Sequence, residues 1–242
     1  MLNTTKIKMI FFDAAGTLFH VRGSVGEIYA RFAARYGQQV APEFLQHAFA
    51  THFPQQPPMA FGQGLSEAER ERREKQWWRV LVQSVFAGAG EFPQFEEYFV
   101  EIFDFFRTAA AWEVAADAHA ALATLRQRGL RLGVISNFDA RLYDVLRALE
   151  LWPYFDSVHI STAVGVAKPD AAIFAAALRA NQLVAAQAVH VGDSWREDVQ
   201  GAQAAGLHPV WLNTSATPAA GIKQIHNLAE LLADANHKGI QK

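Results

Sequence analysis

Cysteine is absent from the 242 residues, which excludes disulfides, thiolate metal sites and cysteine nucleophiles and fits a reducing compartment. Long apolar runs are missing as well. No stretch reaches the roughly 18 to 20 residues of a membrane span, and no apolar segment of signal-peptide length precedes Asp13, so a cytoplasmic protein without a membrane partner is expected. Neither sign of charge dominates: 22 basic and 24 acidic residues leave a formal charge of -2. No overall field recruits nucleic acid, and any attraction for an anion must be local. A glycine-rich loop ending in Gly-Lys-Ser/Thr is lacking, and Gly62-Gln63-Gly64 has neither the third glycine nor the preceding strand of a dinucleotide fingerprint. No two of the nine histidines form a metalloprotease-type helix motif. What is present is a hydrophobic content of 51%, enough for one large core or for one core and a smaller domain.

Five short apolar, β-branched runs read as strands: Ile7 to Phe12, Leu130 to Ile135, Ser157 to Ile160, Ala188 to Val191 and Pro209 to Leu212. From the second to the fifth they alternate with helical patterns, which predicts an α/β fold with a parallel sheet covered on both faces. Asp117 to Arg128 is one such helix, closed by Gly129. Asp139 is placed to cap the next, and Pro169-Asp170 opens a third over Ala171 to Ala180. Between the first two strands lies a stretch, about His20 to Ala111, that is far too long for a simple crossover and carries no convincing strand. Phe95, Tyr98, Phe99, Ile102, Phe103 and Phe106 recur there at spacings of three and four, and Ser66 to Phe86 gives a second long helix. Phe53 to Gly64, with three prolines, reads as a loop.

Four segments carry the chemistry. Asp13-Ala14-Ala15-Gly16-Thr17 follows the first strand, Ser136-Asn137 ends the second, Lys168-Pro169 precedes a helix, and Gly192-Asp193-Ser194, with Asp198, follows the fourth strand. In this order, each near a strand end, they resemble the four motifs of the haloacid dehalogenase-like hydrolase superfamily. The resemblance implies a Rossmann-like parallel sheet sandwiched by helices, formed by residues 1–19 and 112–242, with a helical cap inserted over 20–111. It implies an Mg²⁺-dependent hydrolase of a small phosphorylated substrate. Asp13 would be the nucleophile that becomes an aspartyl-phosphate, with Asp193, Asp13 and the backbone carbonyl of Ala15 as metal ligands. Ser136 would donate to phosphate, Lys168 would screen Asp13 and phosphate, and Asp198 would orient a metal-bound water or pair with Lys168. Thr17, the backbone of Asn137, and His20 are candidate substrate contacts.

One position departs from the pattern. Most members carry a second aspartate two residues after the first, the general acid and base, where this chain has Ala15; losing such a group costs about 10² to 10⁴ in rate. His20, where the chain should enter the cap, is the substitute considered. Three alternatives follow. Asp-x-Ala-Gly-Thr also occurs in phosphonoacetaldehyde hydrolases, which form an imine with a cap lysine; the insert holds only Lys75, inside a charged helical run. A catalytically weakened phosphate and metal binder is the second. A true 2-haloacid dehalogenase is the third, although those enzymes use no metal and usually lack the aspartate equivalent to Asp193. His190 reads as a core histidine. Arg22, Arg31, Arg35, Trp77 and Trp78 are available for substrate, and oligomeric state is not legible.

Overall fold

A computed structural model describes residues 7–213 and 221–233. Its centre is a six-stranded sheet in the order β5-β4-β1-β6-β7-β8, formed by β1 (Met9–Phe12), β4 (Arg131–Ser136), β5 (Ser157–Ile160), β6 (Ala188–Gly192), β7 (His208–Leu212) and β8 (Lys223–Ile225). All neighbouring pairs are parallel. The runs are apolar because both faces are covered. Ile10 and Phe12 join one cluster with Leu122, Leu125 and Val145 from α5 (Ala118–Gln127) and α6 (Arg141–Ala148), while Met9 and Phe11 join Ile173, Phe174 and Ala177 from α8 (Ala171–Ala180) on the other face. That alternation is the two-residue period of a strand expressed on two cores.

The strand order fixes where a site can form. From β1 the chain proceeds to β4 and β5 on one side and then returns to β6, β7 and β8 on the other, so the switch in direction falls at β1, where open α/β sheets leave a crevice at the carboxyl ends. Phe12 is in register with Val134 of β4 and Val191 of β6, so the residues that follow each strand emerge side by side.

Four helices lie between β2 (Phe19–Val21) and β3 (Trp112–Val114): α1 (Val25–Ala34), α2 (Pro42–His52), α3 (Glu67–Phe86) and α4 (Phe95–Phe105). Ser24 caps α1 in a reciprocal box with Glu27, and Ser66 caps α3 by accepting from the Glu69 N–H. The expected stripe of α4 is real: Tyr98, Phe99, Ile102 and Phe103 are buried with Ile28, Tyr29, Leu45, Leu81 and Val85 in a core of their own. The sequence reading gave no strand to this stretch, yet β2 pairs antiparallel with β3, His20 opposite Glu113. Three residues with a partner some ninety positions away leave no periodic signal. β8, also three residues long, carries no periodic signal either. The loop of Phe53 to Gly64 is a loop apart from one helical turn at Phe53–Gln55, and α7 (Ser161–Val164) follows β5. After β6 the backbone makes a wide turn over Trp195–Gln200 and runs into α9 (Gly201–Ala204). No helix among the described residues is long and apolar enough to cross a membrane.

Candidate active site

Asp13 follows β1 directly, its N–H bonded to the Val191 carbonyl at 2.8 Å, so its side chain leaves the sheet at the crevice. Ser136 ends β4 with its side chain beside the Asp13 carboxylate, whose charged form it favours; Asp193 follows β6. Lys168 reaches in from the loop before α8. Its ammonium, 3% exposed with the rest of its residue, lies 2.6 Å from Asp13 Oδ1 and 2.6 Å from Asp198 Oδ1. Lys168 is itself clamped by Asn137, whose amide donates to the Lys168 carbonyl (3.0 Å) and whose Oδ1 accepts its N–H (2.7 Å). Glu197 stands near the same side chain, and burial raises its pKa. The side chain of Asn137 thus serves the lysine, which leaves its backbone for a substrate.

Two glycines make room. A Cβ on Gly192 would stand 2.1 Å from the Asp198 carboxyl carbon, and one on Gly16, whose φ is +95°, would stand 2.7 Å from Asp193 Oδ2. Only glycine lets both carboxylates come this close to backbone. The wide turn after β6 aims Asp198 back under the strand: Val199 N–H reaches the Ser194 carbonyl, five residues back, at 3.2 Å, and Asp198 Oδ2 accepts the Ser194 N–H at 3.0 Å.

The charges do not balance. Asp13, Asp193 and Asp198 offer oxygens that lie within 4.8 Å of one another, against the single ammonium of Lys168. Burial raises the pKa of Asp13, outweighing the lysine beside it. Burial, with the Asp13 and Asp198 charges, pushes Asp193 up to about 6. Burial works against the Asp198 carboxylate too, but Lys168 and His190 hold its pKa well below the ordinary range. Lys168 stays charged: its two carboxylates overcome a burial that favours the neutral amine. A divalent cation fits this surplus of hard oxygen donors. The Ala15 carbonyl fits as well, because among the described residues no backbone N–H is directed at it, while the neighbouring Ala14 carbonyl takes those of Thr17, Leu18 and Phe19.

Asp13, Ala15, Ser136, Asn137, Lys168, Asp193 and Asp198 line one crevice of about 430 Å³. Thr17 does not. It is 1% exposed and sits 3.4 Å from Asp193 Oδ1, so it steadies that carboxylate rather than facing the crevice. His20 is also outside: its side chain is 58% exposed and 3.8 Å from Glu113 on the β2-β3 ribbon. Lys75 is exposed over the Phe103 ring and lines neither the crevice nor the cavity beside it. Of the residues considered for substrate, Arg22 is spent on the Trp112 carbonyl and Arg35 on Glu101, and Arg31 lies over Phe32 and Phe105; Trp77 lines the crevice. His190 is buried in β6, as expected of a core histidine, but its Nε2 is 2.8 Å from Asp198 Oδ1 and so belongs to the network.

Several site residues were not read from the sequence. The loop read as a connection roofs the crevice with Phe53, Pro57, Pro58 and Met59, and Ser161 Oγ anchors it by donating to the Met59 carbonyl at 2.6 Å. Asp139 was expected as a helix cap and does accept the Arg141 N–H at 2.9 Å, one residue before the N-cap Ala140. It also forms a fully buried pair with the Arg141 guanidinium (2.6 and 2.9 Å) and accepts from Trp78 Nε1 at 2.6 Å. Asp-Ala-Arg spacing near a helix start carries no hint of that indole. For Glu197, its place one residue before Asp198 on the turn was the available signal.

A parallel sheet with a carboxylate at the tip of its central strand, a buried lysine and two further acids has the arrangement expected of the motif set read from the sequence. The chain belongs to the haloacid dehalogenase-like hydrolase family, whose sequence model matches residues 7–206. Among similar proteins, haloacid dehalogenase-like hydrolase domain-containing protein 3 of Bos taurus is 35% identical over 214 residues, covering 86% of this chain and 82% of that protein. Solved structures with the same fold include an HAD phosphatase from Thermococcus onnurineus (TM-score 0.65, 21% identity, 97% of this chain and 100% of that one). A 2-haloacid dehalogenase from Pseudomonas syringae pv. Tomato DC3000 is also similar (TM-score 0.65, 25% identity, 94% and 97%).

Proposed function

We propose that this hydrolase is an Mg²⁺-dependent phosphohydrolase of a small phosphorylated molecule and works through an aspartyl-phosphate on Asp13. The observation that carries the reading is the uncompensated cluster of Asp13, Asp193 and Asp198 around one lysine: a dianionic phosphate can approach it only when a dication is present. Asp13, Asp193 and the Ala15 carbonyl would hold Mg²⁺, which supplies charge neutralisation for the nucleophile and the phosphate oxygens. Lys168 keeps the Asp13 carboxylate in place and offers positive charge to the transferring group; Ser136 donates to Asp13 or to phosphate. Asp198 fixes Lys168 and is fixed in turn by His190. Residues 20–111 act as a cap over the crevice, and a cytoplasmic setting suits the cysteine-free chain; neither nucleic acid nor membrane is a partner.

In this reading no crevice side chain among the described residues replaces the acid missing at Ala15. Asp198 is tied to Lys168, and His20 faces outward. The leaving group must therefore depart without a proton from a side chain. Acetyl phosphate and Mg²⁺, followed by acid quench and peptide mass spectrometry, are expected to give a phosphoryl adduct on the Asp13 peptide that is lost in Asp13→Asn. Absence of the adduct together with no phosphate release from any ester or acyl phosphate ends this reading.

A second reading, 2-haloacid hydrolysis, is favoured by the likeness to the Pseudomonas syringae enzyme and by an apolar cavity beside Ala15. Against it, a haloacid is an anion and would meet a net negative site. Metal-independent chloride release from 2-chloropropionate would reverse the ranking.

A further inference from the structure

A second cavity, of about 200 Å³, lies against the first, and Ala15, Asn137, Phe53 and Met59 line both. Its other walls come from the helical block and the sheet edge: Tyr29, Phe49, Trp78, Phe106, Trp112 and Phe138 among them. The only charge in the wall is Arg141, and that charge is spent. Its Nε and one terminal nitrogen bind Asp139, the other terminal nitrogen donates to the Phe103 carbonyl at 3.1 Å, and the Trp78 and Phe103 rings cover the guanidinium at 4.9 and 4.0 Å. The Asn137 amide is likewise committed to the Lys168 carbonyl. A charged or hydroxyl-rich group entering here would lose its water and find few partners.

From this we infer that the cavity receives the leaving group of the substrate, and that this group is a single uncharged aromatic ring carried as an aryl phosphate. The inference rests on the phosphohydrolase reading above. Size agrees, since an apolar cavity of about 150 Å³ holds one benzene. Chemistry agrees independently. The junction between cavity and crevice is the Ala15 methyl, where a carboxyl would otherwise serve as acid, so the leaving oxygen departs as an anion. A phenol, with a pKa near 10, tolerates this far better than an alcohol, whose pKa is close to the roughly 15.7 of water.

The step balances. An Asp13 carboxylate oxygen forms a bond to phosphorus, the P–O(aryl) bond breaks, and its electron pair leaves on the aryl oxygen, which takes a proton from solvent. Water then attacks the aspartyl-phosphate, the P–O(Asp13) bond breaks, and the net change is aryl phosphate and water to phenol and hydrogen phosphate.

The test separates ring recognition from leaving-group reactivity by using phosphonates, which are not turned over. In calorimetry with Mg²⁺ present, phenylphosphonate is expected to bind wild type at least tenfold more tightly than methylphosphonate. Val25→Phe, which places a ring in the cavity from the start of α1, is expected to shrink that preference about tenfold and to lower the ratio of kcat/KM for phenyl phosphate over acetyl phosphate by a similar factor. Turnover of acetyl phosphate with equal binding of the two phosphonates overturns the inference and spares the phosphohydrolase reading. No turnover of any phosphate compound and no phosphonate binding overturns both.

Discussion

Two clusters of charge stand at the carboxyl edge of one sheet, and they are built on opposite rules. Around Asp139 and Arg141, one carboxylate meets one guanidinium, both carboxylate oxygens are saturated, and indole and phenyl rings seal the pair. Burial works against the Asp139 carboxylate, yet Arg141 and the Trp78 donor hold its pKa below the ordinary value. Around Lys168, three acids share one base, and the Asp13 and Asp193 pKa values move up. The closed cluster joins the helical block to the sheet with its own two charges matched, while burial and the Asp139 charge raise the pKa of the neighbouring Glu74. The open cluster keeps a surplus of negative charge that a cation fits, and that surplus is what the proposed phosphoryl transfer would use.

Breaking the open cluster should show in turnover first. Asp13→Asn and Lys168→Met are each expected to lower kcat by at least about a thousandfold, as loss of a nucleophile or its partner does, measured by phosphate release with the best substrate. A residual rate within tenfold of wild type for Asp13→Asn would remove the covalent mechanism.

Breaking the closed cluster should show in stability instead. Arg141→Met leaves Asp139 buried without a counter-charge, and urea unfolding is expected to give a loss of about 3–5 kcal/mol. The double variant Asp139→Leu with Arg141→Met removes both charges and should recover most of that loss, because replacing a whole buried pair by apolar groups is often neutral. If the double variant is as unstable as the single one, the pair contributes more than mutual neutralisation.

The same contrast separates what was legible in the sequence from what was not. β1 and β4 to β7 could be read because a strand buried on both faces is an apolar run of its own, whatever lies beside it. Asp13, Ser136, Lys168, Asp193 and Asp198 could be read because each is set by a local junction of strand or helix, and parallel register then brings the junctions together. The closed cluster was opaque: Trp78 lies 61 positions from Asp139, on a helix whose own pattern shows only an apolar end. β2, β3 and β8 were opaque because three residues are too few for a periodic signal, and β2 and β3 also take their geometry from a partner some ninety positions away. His20 was chosen for its place near the motif, and its pairing with the β3 edge turned it outward.

Acidity offers a finer probe of the open cluster. A carboxyl whose pKa rises on folding favours the folded protein while it is protonated; for Asp193 that contribution is complete below the ordinary value of 3.8 and is lost as pH climbs through about 6. Metal binding runs the other way because it needs the carboxylate. Mg²⁺ affinity is expected to fall about tenfold per pH unit below 6 and to level off above it, read by calorimetry from pH 5 to 8. A flat profile would place Asp193 outside the metal shell.

The smallest effect concerns Thr17, the side chain closest to the boundary between holding the site and belonging to it. Its Oγ1 lies 3.4 Å from Asp193 Oδ1, near the limit of a useful hydrogen bond, whereas the Trp211 indole holds the Asp193 carbonyl at 2.9 Å. A contact that long should contribute no more than about 1 kcal/mol, so Thr17→Val is expected to weaken Mg²⁺ binding by about two- to fivefold and to leave the fold intact. A loss near a hundredfold would mean that the hydroxyl moves onto Asp193 or the ion when the site is filled, as partners of metal ligands do when they set ligand orientation. The open cluster would then tighten around its cation, while the Asp139 and Arg141 pair stays as it is.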